Sequence, residues 1–111
     1  MGNLVVHRYG FPKEEFRMTV FLSPEDQILH FDYQKAKAQF SIWVLVDPED
    51  SVLIERTFQI VATGQQVVEH NEHRASYHVG SCLIDDFYIF HCFEVHDYNP
   101  DKEEGPSDGL V

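Results

Sequence analysis

At 111 residues the chain has room for one domain around one hydrophobic core, and it is too short for two ordinary domains. Hydrophobic residues make up 43% and aromatic residues 14%, a mixture typical of the half-buried faces of pleated sheets. The 19 acidic residues outnumber the 8 basic ones, and the resulting charge of −11 repels nucleic-acid phosphates. Direct binding of a polymer nucleic acid is therefore not expected, although an acidic protein can imitate one and occupy a basic groove.

The sequence also argues against a membrane protein. No run approaches the roughly 18 consecutive apolar residues that a membrane-spanning helix needs. The first residues lack the basic segment and long apolar run of a secretory signal. We expect an unprocessed cytoplasmic protein with no membrane association.

Three strands are predicted in the first part of the chain. Residues 4–9 form the first, which a Gly-Phe-Pro sequence ends, and residues 16–22 form the second, with alternating apolar positions. The third covers residues 29–34 after a Ser-Pro-Glu-Asp turn. Its core-facing side is predicted to carry Leu29, Phe31 and Tyr33.

Two further strands follow a short polar loop. Residues 40–46 are apolar on both faces, which predicts a central strand with Trp43 in the core. After an Asp-Pro turn, residues 52–62 form a fifth strand. Its alternating inward positions are predicted to be Arg56, Phe58, Ile60 and Ala62. Residues 65–76 are polar and form a loop or a single helical turn.

A final hairpin pairs residues 77–84 with residues 87–96. A two-residue turn at Asp85 and Asp86 sets a register that places Cys82 and Cys92 on opposite sheet faces. This register argues against a disulfide bond and predicts two buried, free thiols in a reducing compartment.

Together these elements predict a mainly β protein with little helix. Its fold is expected to be a single antiparallel β-sandwich or small barrel of about six or seven strands. Residues 1–97 form this domain. Residues 98–111, rich in Asp, Glu, Pro and Gly, are predicted to be an acidic, flexible tail.

Four motifs, in this order, resemble a family of uncharacterised short domains found largely in bacteriophages and their hosts. They begin with Trp-x-Leu-Val-Asp in the central strand and Phe-x-Ile-Val-x-Thr-Gly in the fifth, and continue with Gly-Ser and His-x-Phe-Glu in the hairpin. The chain departs from the family pattern by having Ala62 where Gly is expected and Ser81 where Thr is expected. A ligand site that relied on that glycine would be weakened by the change.

The resemblance implies a phage accessory protein that binds a host component, either a defence protein or a nucleotide signal. We expect it to be non-enzymatic and to inhibit or sequester that component. Strands so rich in Phe and Tyr also predict more apolar surface than one core can bury, and hence a homo-oligomer. The alternatives are a structural or assembly component of a phage particle and a metal-dependent hydrolase.

The hydrolase alternative depends on His70, His73 and His78 as metal ligands. Zinc needs three or four converging ligands, and the polar loop offers no helix to hold His70 and His73 on one face. Exposed loop histidines, with no metal and no cofactor, are therefore the favoured interpretation. His91 is expected to point inward with Ile89 and Phe93 as a hydrogen-bonded core residue.

Catalysis through a nucleophile is not indicated. The sequence has no nucleophile elbow, and Cys92 next to His91 on a strand faces the opposite way. Glycines and hydroxyl groups nevertheless gather beside the irregular segment, where a bulge or a turn also explains the glycines. The predicted ligand- or partner-binding residues are Thr63, Gly64, His78, Gly80 and Ser81. Substitution of Gly80 is expected to affect binding more than folding.

Overall fold

The structure, a computed structural model, describes residues 3–67 and 72–97. Seven strands account for nearly all regular structure in these ranges, together with one 3-10 turn, Lys35–Lys37. The strands are β1 (Val5–Gly10), β2 (Arg17–Leu22), β3 (Gln27–Gln34), β4 (Gln39–Val46), β5 (Ile54–Ala62), β6 (Arg74–Ile84) and β7 (Tyr88–Asp97). The predicted mainly β class is confirmed, and β6 begins three residues earlier than predicted.

The strands form two antiparallel sheets packed face to face. One has three strands in the order β1-β4-β3, and the other has four in the order β2-β5-β7-β6. The two sheets do not close on each other, so the fold is a sandwich and not a barrel. Because β4 has a hydrogen-bonded neighbour on both sides, its prediction as a central strand is confirmed.

Side chains from both inner faces form one hydrophobic core. The core consists of Phe11, Met18, Leu22, Phe31, Phe40, Ile42, Val44, Val46, Phe58, Ile60, Cys82 and Cys92. Phe31 and Phe40 stack with their ring centroids 5.6 Å apart. The alternation predicted for β5 holds, since Phe58 and Ile60 are buried.

The inner face of β3 differs from the prediction by one position. A bulge between Ile28 and His30 shifts the register, so Leu29 is exposed and Ile28 packs against the core instead. A bulge inserts one unpaired residue and reverses the alternation on one side of it. Phe31 and Tyr33 face inward as predicted.

Trp43 lies outside the core, contrary to the prediction. It pairs with Arg8 and His30 on the outer face of the three-stranded sheet and is half-buried. Its ring centroid lies 5.3 Å from that of His30. The inner positions on either side of it in β4 are taken by Ile42 and Val44.

The β6–β7 hairpin has a three-residue loop, so the predicted two-residue turn and its register are wrong. Ile84 pairs with Tyr88, Cys82 with Phe90, and Gly80 with Cys92. Cross-strand partners share a sheet face, which places Cys82 and Cys92 on the same face and not on opposite ones. Both thiols are free and buried in the core.

A buried ion pair joins the four-stranded sheet to the β2–β3 turn. Arg56 donates to both carboxylate oxygens of Glu94, at 2.7 and 2.8 Å. Its remaining terminal nitrogen donates to the backbone carbonyls of Ser23 and Asp26, at 2.9 and 2.8 Å. Its hydrogen bonds to Glu94 raise the pKa of Arg56 above its ordinary value.

Within the described ranges, no helix has the length and apolar character needed to cross a membrane. The predicted tail, residues 98–111, and the predicted loop histidine His70 lie outside the described residues.

Candidate functional site

The outer face of the four-stranded sheet carries a group of polar side chains from three neighbouring segments. Ser81 on β6 pairs directly with His91 on β7, and His91 pairs on its other side with Val61 on β5. Thr63 follows the end of β5, where its backbone amide donates to the carbonyl of Ile89 at 3.0 Å. Sheet pairing therefore brings these residues together from distant parts of the sequence.

Four of these side chains form a continuous hydrogen-bonded chain. The Thr63 hydroxyl lies 2.8 Å from Nε2 of His91, and the Ser81 hydroxyl lies 2.7 Å from Nδ1 of the same ring. Nε2 of His78 lies 2.9 Å from the Ser81 hydroxyl. Both imidazoles are thus fixed in orientation, which a lone surface histidine is not.

The donor and acceptor roles in this chain depend on the histidine tautomers, and one consistent set starts at Thr63. The Thr63 hydroxyl donates to the carbonyl of Ile89 at 3.3 Å, so its oxygen accepts from Nε2–H of His91. With the proton of the His91 ring on Nε2, its Nδ1 accepts from the Ser81 hydroxyl, and Ser81 in turn accepts from Nε2–H of His78. In that tautomer, Nδ1 of His78 ends the chain as a hydrogen-bond acceptor.

Apolar side chains continue this surface toward the hairpin loop. Leu83 and Ile89 pair with each other next to the Ser81 and His91 pair, and they are 55% and 43% exposed. Six side chains on this sheet face together form what we call the outer patch. They are Thr63, His78, Ser81, Leu83, Ile89 and His91.

Three of the five predicted site residues therefore lie together. Thr63, His78 and Ser81 belong to the hydrogen-bonded chain. Gly64 does not contact it; with a φ of 94°, it allows the tight turn after β5 that positions Thr63. Gly64 thus has the turn role that was the alternative interpretation.

Gly80 faces the opposite way, into the sandwich. A Cβ atom on Gly80 would lie 3.1 Å from Cβ of Phe31, so the glycine allows a close approach between the two sheets. The register shift between His78 and Gly80 is what separates their faces. This contact argues against the expectation that substitution of Gly80 affects binding more than folding, because a side chain at that position would point into the core.

His91 belongs to the site although it was predicted to point inward. Its strand is apolar on both faces: Phe90 and Cys92 face the core, while Ile89 and Phe93 share the outer face with His91. The apolar residues Ile89 and Phe93 therefore led to the wrong prediction of the sheet face that His91 occupies. The informative signal was the set of polar side chains across from it, since a histidine on a strand seeks partners from adjacent strands.

The histidines named for a metal site are arranged differently. Nε2 of His78 is hydrogen-bonded to Ser81, and His73 is exposed beside Glu72, with 3.6 Å between Nε2 and the carboxylate. Among residues 3–67 and 72–97, no three His, Cys, Asp or Glu side chains are grouped so as to hold a metal ion.

The fold and the outer patch define a small β-sandwich protein with a mixed polar and apolar surface on one sheet. The chain belongs to the family described as Domain of unknown function (DUF7352), which matches residues 3–103. The predicted likeness to a family of uncharacterised short domains is confirmed at that level. No curated protein and no solved structure matches the chain.

Proposed function

We propose that this chain is a non-enzymatic, phage-encoded accessory protein that binds a host defence component through the outer patch and so inhibits or sequesters it. The observation that carries the proposal is the chain Thr63–His91–Ser81–His78, which runs beside exposed Leu83 and Ile89. Polar groups held in fixed positions beside apolar surface lower the entropic cost of association.

The composition of the outer patch supports a protein partner over a nucleotide signal. Leu83 and Ile89 offer apolar area of the kind that protein interfaces bury. The adjacent loop carries Asp85 and Asp86, and the whole chain carries a charge of −11, which disfavours a phosphate-bearing ligand. Nδ1 of His78 offers the partner an oriented acceptor for a hydrogen-bond donor.

In this proposal the protein acts in the host cytoplasm as a homo-oligomer. Exposed apolar side chains lie on both sheets, including Val6 on β1 and Phe21 on β2, and self-association would cover part of this area. Both strands are sheet edges, which offer unpaired backbone groups to a second copy. Analytical ultracentrifugation of the full chain tests this: a monomer across the micromolar range contradicts it.

The binding experiment compares the wild type with a variant that removes the hydrogen-bonded chain. The variant combines Thr63→Val, His78→Ala and Ser81→Ala, and tagged protein is used to capture partners from phage-infected host cells. A matched control, His7→Ala with His30→Ala, removes exposed histidines from the other sheet. Circular dichroism establishes that all three proteins are folded.

We expect the wild type and the control to capture the same host defence protein and the triple variant to lose it. Capture of virion proteins instead would favour the assembly role. Full capture by a folded triple variant would place the binding surface elsewhere on the molecule.

A further inference from the structure

The tip of the β6–β7 hairpin exposes a cluster of large apolar side chains next to the outer patch. Phe87 in the loop is 82% exposed and Tyr88 61% exposed. Tyr88 pairs with Ile84, whereas Leu83 and Ile89 pair on the opposite, outer face of the hairpin. Single exposed apolar residues are common on soluble proteins, whereas a contiguous group on one loop marks an interaction surface. Aromatic side chains of this kind supply much of the binding energy in protein interfaces.

Two carboxylates lie within the same loop. Asp85 and Asp86 both have left-handed backbone conformations, with φ values of 53° and 61°. Aspartate and asparagine adopt this conformation more readily than most residues. The three-residue loop therefore presents two negative charges directly before the exposed Phe87.

A groove of about 410 Å³ opens beside these carboxylates. Its walls are formed by the hairpin and by the end of β3 with the adjoining turn. The lining residues are Tyr33, Lys35, Leu83, Ile84, Asp85 and Asp86. With two carboxylates against one lysine, the groove has negative charge, and its lining is mainly polar with a smaller apolar part.

This combination matches the chemistry of an arginine side chain. A guanidinium group forms strong hydrogen bonds with carboxylates and stacks on aromatic rings such as that of Tyr33. The aliphatic part of the same side chain packs on apolar surface, here Ile84. A volume of about 410 Å³ is at the small end of the range for ligand pockets, roughly 300 to 1,000 Å³, and suits a side chain.

We propose that the hairpin tip docks on an apolar protein segment that carries arginine, with Phe87 and Tyr88 buried in the interface and a guanidinium group held in the groove by Asp85 and Asp86. This inference rests on the proposed function and specifies the chemistry of its partner. The same carboxylates repel nucleic-acid phosphates and anionic lipid headgroups, so complementarity favours a basic protein surface.

The experiment titrates the isotope-labelled full chain with defined peptides and follows backbone amides by NMR. The first peptide is acetyl-Leu-Arg-Phe-Arg-Leu-amide, and the second replaces both arginines with citrulline, which has nearly the same shape and no charge. We expect saturable shifts at residues 33–35 and 83–90 with the arginine peptide. The citrulline peptide should bind about fivefold more weakly, since exposed charge pairs contribute modestly.

Two variants test whether the hairpin tip is responsible for peptide binding and for the preference for arginine, and a third variant is the control. Asp85→Asn with Asp86→Asn keeps the left-handed loop and removes both charges, so it should bind the two peptides equally. Phe87→Ser should weaken both peptides about tenfold. Glu14→Gln with Glu15→Gln, which removes two exposed charges elsewhere, should preserve the preference for arginine.

Equal binding of both peptides by the wild type would overturn the inference, as would the absence of saturable shifts at millimolar peptide. Binding to vesicles of phosphatidylglycerol and phosphatidylcholine, dependent on Phe87 and without peptide binding, would instead assign the tip to membranes. In any of these cases, partner capture that still depends on Thr63, His78 and Ser81 would leave the proposed function intact.

Discussion

At the scale of single residues, the buried pair of Arg56 and Glu94 is the interaction whose loss has the clearest energetic consequence. Their side chains are 10% and 9% exposed, so both charges are largely removed from water. Such a pair is stable when its polar groups are matched, and here the guanidinium donates to both carboxylate oxygens of Glu94 and to two carbonyls of the β2–β3 turn. Removing one partner leaves the other charge buried and uncompensated.

We predict that Arg56→Met lowers the free energy of unfolding by about 3 to 5 kcal/mol. The measurement is urea unfolding followed by circular dichroism. Arg74→Met is the control, because the ion pair of Arg74 with Asp97 has side chains 38% and 79% exposed, and its loss should cost at most about 1 kcal/mol. Similar small losses in both variants would show that the Arg56 pair contributes little.

The two core cysteines should be chemically inert and should weaken the fold at alkaline pH. Burial raises the pKa of the Cys82 thiol from 9.0 to about 11, and burial also raises that of Cys92. The unfolded thiols ionise near pH 9 while folded Cys82 stays neutral, so the unfolded state loses protons first. The stabilising contribution of Cys82 is therefore complete below pH 9 and is lost as the pH rises toward 11.

We predict that Cys82→Ala reduces the loss of unfolding free energy between pH 8 and pH 10.5, measured by urea unfolding at each pH. In the wild type, iodoacetamide at neutral pH should label both cysteines only after unfolding. A pH dependence unchanged by the substitution, or rapid labelling of the folded protein, would show that these thiols are accessible.

At the scale of elements, the bulge in β6 decides which side chains reach the outer patch. It separates His78, which faces outward, from Gly80, which faces inward against Phe31. Without the extra residue, regular alternation would place His78 and Gly80 on the same face. The bulge therefore allows one strand to supply both a core contact and the polar chain.

We predict that Gly80→Val lowers the free energy of unfolding by about 1 to 3 kcal/mol, because its side chain would overpack the core. Gly80→Ala should cost less, since its single carbon would lie 3.1 Å from Cβ of Phe31 and a shift of a few tenths of an ångström relieves the contact. Thermal unfolding of both variants checks the order. Equal losses of stability in the two variants would mean that the backbone conformation of Gly80, and not its contact with Phe31, explains the effect.

At the scale of the whole molecule, the core formed by the described residues comes before the acidic C-terminal segment in the sequence. The buried side chains of the core fall between Phe11 and Cys92, and β7 ends at Asp97. Five acidic residues and one lysine lie between positions 97 and 108, so the charge of this segment is strongly negative. All the core side chains identified among the described residues remain when residues 99–111 are deleted.

We predict that deleting residues 99–111 changes the melting temperature by less than about 3 °C, because the deletion exposes almost no apolar surface. Differential scanning calorimetry of the truncated and full chains makes the comparison. A drop of 10 °C or more would mean that the segment packs on the sandwich.

The fold class, the approximate positions of all seven strands and the central place of β4 could be predicted from the sequence. These follow from local signals: alternation of apolar residues, turn sequences and one strand apolar on both faces. It also pointed to Thr63, His78 and Ser81 as candidate site residues, because hydroxyl groups and a histidine near strand ends are visible without knowledge of pairing.

Only the tertiary structure decided which face each of these side chains occupies. One extra residue in the hairpin loop changed the register of Cys82 and Cys92, and one bulge separated Gly80 from His78. Because alternation has a period of two residues, a single insertion reverses every side chain beyond it. His91 joined the outer patch for the same reason: its strand is apolar on both faces, so only pairing with Ser81 and Thr63 determines where it points.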